Sequence, residues 1–149
     1  MNNDVIEKIE IQVKQSLFKI TGDVTPNIEV YDDIAVIEYE LDEPCAMEDV
    51  LDAIEDDMGL AFLYYAEKDM GKFLAHHACA VCNPSGDYMF KVNCISDAED
   101  KVSVLTLTVF TSIEQMNNDL QNDLKNHHEG GFEFIDLMEE GAYAAMFAV

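Results

Sequence analysis

The run His76-His77-Ala78-Cys79-Ala80-Val81-Cys82 is where residue type and spacing come nearest to chemistry. Thiolates and imidazoles are zinc ligands, and two cysteines with two residues between them can hold one side of a tetrahedral ion. The ligands would be His77, Cys79 and Cys82. A second pair is missing, since only the isolated Cys45 and Cys94 and the pair His127-His128 remain. Strand alternation also sets His77 and Cys79 on one face and His76 and Cys82 on the other. A thioredoxin-like redox pair would have to open a helix after a strand, and this run reads as strand itself. Small core residues of a hairpin are therefore expected here. No cofactor is expected, with zinc as the alternative.

Other reactive patterns are weaker. No G-x-S-x-G, P-loop, G-x-G-x-x-G or H-E-x-x-H occurs, and Ser85, Ser96, Ser103 and Ser112 have no recognisable nucleophile context. His127 and His128 fit the end of a helix, where cations are favoured. Carboxylates abound, but a general acid needs an environment that raises its pKa, and number alone does not supply one. A non-enzymatic protein is the expectation.

Charge says more. The chain of 149 residues has 31 Asp and Glu against 8 basic residues, all of them Lys, for a formal net charge of -23. Such a charge repels nucleic acid and anionic membrane and speeds encounter with basic surfaces. The absence of Arg removes the planar fork that grips phosphate with two bonds. Direct nucleic-acid binding, which depends on Lys and Arg displacing counterions, is the function class most clearly disfavoured. Between Lys19 and Lys68 there is no base but there are 15 acids. Among them Asp32, Asp33, Asp42, Glu43, Glu48, Asp49, Asp52, Glu55, Asp56 and Asp57 form the candidate partner-binding set.

The elements that must carry these residues follow from periodicity. Val5, Ile9, Val13, Leu17 and Ile20 recur at helical spacing, flanked by Ile6 and Phe18, with Asn3 as N-cap and Gly22 at the far end. Residues 27–31 and 34–41 alternate as strands meeting at Asp32-Asp33, with Glu29, Glu38 and Glu40 toward water. From Pro44 the period becomes helical: Met47, Val50, Leu51, Ile54 and Met58 share one face, Glu48, Asp49, Asp52, Glu55 and Asp56 the other, and Gly59 stops it. Strands follow at 60–66, 72–82, 87–96 and 101–110, with a turn at Asn83-Pro84-Ser85-Gly86. Ser112 to Gln115 is a capping-box pattern ahead of a helical stripe of Ile113, Met116, Leu120 and Leu124, and residues 132–138 and 142–149 read as a closing strand pair.

The expected fold is α+β, one domain over 1–149: an N-terminal helix followed by a β-β-α-β-β unit with antiparallel sheet. Residues 27–82 and 87–149 repeat that order, so the unit is a candidate duplication. Met70-Gly71-Lys72-Phe73 falls where Glu140-Gly141-Ala142-Tyr143 falls in the second half. Residues 1–10 carry Asp4, Glu7 and Glu10 where a signal peptide needs a basic start and an apolar run, so a cytoplasmic location with reduced cysteines is expected.

Acids on the outer face of the second helix would repeat about every turn, roughly 5 to 6 Å apart, close to the spacing of phosphates along a nucleic-acid strand. The function expected is therefore binding to a basic protein surface, of the kind that normally holds DNA or RNA. In composition the chain resembles the small acidic inhibitors that phages and mobile elements direct against host nucleases, anti-restriction and anti-CRISPR proteins among them. In its order of helices and strands it is loosely similar to type III secretion chaperones. That resemblance implies a dimer that binds an extended effector segment; an immunity protein, likewise small, acidic and cytosolic, is the companion alternative. The strands after Gly130 depart from the chaperones' C-terminal helix. The metal or redox reading on Cys79 and Cys82 is the remaining alternative.

Overall fold

In the computed structural model the described residues are 3–32, 34–59, 62–80, 90–112, 115, 118–119, 122 and 133–136, with backbone alone for residues 3, 63–68, 79–80 and 133–136. The chain opens with helix α1 (Asn3–Thr21) and strands β1 (Val24–Val30) and β2 (Ile34–Ala46). Helix α2 (Met47–Met58) follows, then β3 (Phe62–Asp69), β4 (Leu74–Ala80), β5 (Phe90–Ser96), β6 (Lys101–Phe110) and β7 (Glu133–Asp136). The strands form a sheet in the order β1-β2-β6-β5-β4-β3-β7, every neighbouring pair antiparallel. The architecture is α+β, as the periodicities imply.

One face of the sheet is apolar because alternation puts Ala35, Ile37 and Tyr39 of β2 beside Val109, Leu107 and Leu105 of β6, and Val109 and Leu107 beside Phe90 and Val92 of β5. Ile6, Ile9, Val13 and Leu17 of α1 and Met47, Val50, Ile54 and Met58 of α2 bury their stripes in the same cluster. Each such side chain contributes roughly 1.5 to 3 kcal/mol by leaving water. Tyr39 is fully buried, and its hydroxyl donates to the Glu10 carbonyl at 3.0 Å, tying β2 to α1 without an unsatisfied polar group. The Phe62 and Phe90 rings meet edge to face, 6.0 Å between centroids.

Several boundaries differ from the periodicity. β1 begins three residues earlier than expected, and β2 continues through Pro44 to Ala46 where a helix start was expected. The register breaks between Glu40 and Cys45, after which Cys45 and Ala46 pair with Val102 and Lys101. This irregularity carries the chain through Leu41, Asp42, Glu43 and Pro44 and back into the ladder before α2 starts. Ala46 offers α2 no side-chain cap; Glu48 and Asp49 in the first turn supply the negative charge favoured there. At the other end Gly59 takes the left-handed conformation, φ 62°, and donates its N–H to the Glu55 carbonyl.

The forward half of the capping box is present, Ser112 Oγ accepting the Gln115 N–H at 3.2 Å, while Gln115 Oε1 reaches one residue further back and accepts the Thr111 N–H at 3.1 Å. The apolar stripe beyond it, the 83–86 turn and the strand at 142–149 lie outside the described residues. The two candidate repeats meet strand against equivalent strand, β2 with β6 and β3 with β7. A two-fold-related pair would meet in this way. Because the last strand of the second copy is not described, the duplication stays an expectation.

Candidate partner-binding surface

The acidic set divides in three. Asp32 lies in the β1–β2 turn, closed by the Tyr31 N–H to the Ile34 carbonyl at 2.8 Å. Asp42 and Glu43 lie at the register break near the other end of β2, eight residues of strand away, or roughly 25 Å. Asp32 is thus separated from the rest, and Asp33 lies outside the described residues.

Asp42 and Glu43 are held against the C-terminus of α1. Thr21 Oγ1 donates to the Glu43 carbonyl and accepts the Glu43 N–H at 2.9 Å. Gly22 closes α1 at φ 85°, and a Cβ there would sit 3.3 Å from Asp42 Oδ2. A carboxylate beside the negative end of a helix dipole is unfavourable.

On α2, Met47, Val50, Ile54 and Met58 are buried, which turns Glu48, Asp49, Asp52 and Asp56 to solvent with Glu55 half-buried beside them. Glu48, Asp52 and Asp56 stand at successive i, i+4 positions, about 6 Å of rise apart. Among the described residues no cation pairs with Glu48, Asp49, Asp52 or Asp56. Asp57 behaves differently. It faces α1, accepting from Ser16 Oγ and from Lys19 Nζ, each at 2.8 Å, and the Lys19 bond, with Ser16 next, holds its carboxyl below the usual range. Asp57 therefore fastens α2 to α1 and engages Lys19.

The metal candidates are described only in part. His77 and Cys79 stand two apart on β4, opposite Asn93 and Lys91, and Cys82 lies outside the described residues. His77 Nδ1 lies 2.9 Å from Asn93 Oδ1. Among the described residues no three His, Cys, Asp or Glu side chains gather as a metal would need. His76 is a core histidine, 1% exposed, with Nε2 2.8 Å from Ser96 Oγ. Cys45 and Cys94 are buried free thiols; burial pushes Cys94 up to about 12 and raises Cys45, so neither is a ready nucleophile.

Two features beside the acidic face escaped the sequence. Phe18, grouped with the apolar residues of α1, is 61% exposed, whereas Ile6 is buried. The Ser16–Asp57–Lys19 tie joins residues about forty apart, and no local pattern announces it. No described helix is long and apolar enough to cross a membrane. Comparison with protein-family models, with curated proteins and with solved structures finds no match for this chain.

Proposed function

We propose that the protein is a non-enzymatic binding protein. Its acidic surface, Asp42, Glu43 and the outer face of α2, engages a basic surface of a partner protein, of the kind that holds nucleic acid. The observation that carries this reading is the uncompensated row on α2. Glu48, Asp52 and Asp56 repel one another at i, i+4 spacing, an arrangement that weakens a helix by a few tenths of a kcal/mol per pair, and among the described residues no cation pairs with them, Lys19 being engaged by Asp57. A rigid, core-anchored helix bearing this row matches a basic groove in charge and imitates a phosphate strand in spacing. An inhibitor of a nucleic-acid-handling enzyme, as phages and mobile elements encode, is the role such imitation serves. The protein would act in the cytoplasm, without contacting membrane or nucleic acid itself; the buried free thiols of Cys45 and Cys94 suit a reducing compartment.

The test is affinity for a partner recovered from the native host, measured at low and high salt, with DNA or RNA as competitor. Binding should fall steeply with salt, be displaced by nucleic acid, and be lost on charge reversal of Glu48, Asp52 and Glu55. Affinity indifferent to salt and to those reversals would sink the reading.

A further inference from the structure

We infer that the flank of α1 beside the acidic helix is an anchor site for the same partner, taking an amphipathic basic helix whose apolar residues seat on Phe18 and Ile11. The inference rests on the function proposed above and deepens it. Charge across an interface sets encounter rate and selectivity more than residence, which comes from a few apolar or aromatic anchors excluded from water. An acidic face alone has no such anchor, and α1 supplies one.

The core-facing stripe of α1 is fully used by Ile6, Ile9, Val13 and Leu17, yet Ile11 and Phe18 stand outward at 43% and 61% exposure. Seven residues apart, they lie on one line of the helix about 10 Å long. A groove of about 490 Å³ runs between this line and α2, lined by Gln12, Gln15, Phe18, Lys19 and Asp57. It adjoins a second hollow of about 470 Å³ that contains Ile11 and shares Gln12 and Gln15.

Two further observations point to a cationic, donor-bearing occupant. Gln12 Oε1 is buried with no hydrogen-bond partner among the described residues. An acceptor in that state destabilises the free protein and calls for an explanation, and a donor arriving with a ligand would provide one. Gln12 lines both hollows, so rotation about its terminal bonds presents the oxygen to a group seated in either. The charge is also right. Lys19 does not repel a cation there because Asp57 neutralises it at 2.8 Å, and Asp49 and Asp56 lie one step further round α2. A Lys or Arg of the partner would meet the Phe18 ring on one side and the Asp57 edge of α2, with Asp56 next to it, on the other.

Two helical peptides of equal charge test this: one of Lys and Leu with Leu at i, i+4 and i+7, the other of Lys and Ala. Their affinities for the full chain are measured by calorimetry at two salt concentrations. The wild type should prefer the Lys/Leu peptide by roughly tenfold, the scale of one good anchor. The double variant Phe18→Ser, Ile11→Ser should lose that preference while still binding the Lys/Ala peptide. Both positions are exposed, so folding is preserved and can be verified by circular dichroism. Gln12→Met should weaken binding of both peptides while leaving thermal stability unchanged or higher. A preference that survives the double variant overturns the anchor site. Equal, salt-sensitive binding of the two peptides by the wild type overturns it too, and leaves the acidic-face reading standing. Salt-insensitive binding of the Lys/Leu peptide alone, abolished by Phe18→Ser, supports the anchor and overturns the acidic face.

Discussion

Replacing Asp52 by Lys should make the free protein more stable and its partner binding weaker, and the two effects together separate a functional acidic face from a merely solvated one. Asp52 is exposed at the middle of α2, with Glu48 and Asp49 four and three residues before it and Glu55 and Asp56 three and four after. Each like-charged neighbour at these spacings costs about 0.2 to 0.5 kcal/mol, and each opposite-charged one returns a similar amount. Discounting for non-additivity, the swap should stabilise by about 1 to 2 kcal/mol at low ionic strength. For a chain of this size that is a rise in Tm of about 2 to 8 °C. Part of any gain is intrinsic, since Lys is a better helix former than Asp; Asp52→Gln, neutral and of similar propensity to Lys, measures that part. The electrostatic remainder must shrink in 1 M salt, where the Debye length of about 3 Å is shorter than the roughly 6 Å spacing of the row. Urea denaturation of the three proteins at 20 mM and 1 M salt reads all of this. A fall in stability, or a gain equal to that of Asp52→Gln at both salts, would refute the account of α2 as a self-repelling row. A stabilised variant that still binds its partner with wild-type affinity would refute the proposed function.

Other outcomes follow from the same contacts. The Asp57 carboxyl is held below its ordinary value by Lys19 and then Ser16, so its stabilising effect is complete above the unfolded value of about 3.9 and is lost as pH falls through the lower folded value. In Asp57→Asn, the acid limb of a Tm-against-pH curve should be shallower than in the wild type below about pH 4; parallel curves would remove the tie. Gly59→Ala forces a side chain into the left-handed C-cap at φ 62° and should cost about 1 kcal/mol by chemical denaturation, although a Cβ there meets nothing within 4 Å, so the loss is conformational and not steric. Cys45 and Cys94 should resist a thiol reagent at pH 8 until the protein is unfolded, as peptide mapping of the labelled chain would show; early labelling of either would contradict their burial. Tyr39→Phe should cost about 1 kcal/mol by removing the hydroxyl that ties β2 to α1, read from the shift in denaturation midpoint at unchanged slope.

Periodicity carried the elements well where each buries one face. The α1 stripe and the alternation of Ile37, Tyr39 and Leu41 are legible because a residue's neighbours in sequence decide which way it points. Pro44 resembles a helix opener and so sets the expected start of α2 too early, whereas pairing of Cys45 and Ala46 with β6 keeps the backbone extended. That pairing partner lies more than fifty residues away, beyond any local pattern. Phe18 reads as core for a similar reason: its spacing is helical, but the sheet and α2 cover only part of α1, and Phe18 lies outside the covered stripe.

The sequence by itself determined the acidity of the chain, the absence of Arg, the class of the fold and the outward turn of the α2 acids, all consequences of composition and local period. Tertiary structure decided which acids belong together. It set Asp32 roughly 25 Å along β2 from Asp42 and Glu43, tied Asp57 to Ser16 and Lys19 of α1, and opened a groove that Phe18 and Asp57 both line. A net charge has no position until strands pair and helices pack, because only those long-range contacts convert distance along the chain into distance in space.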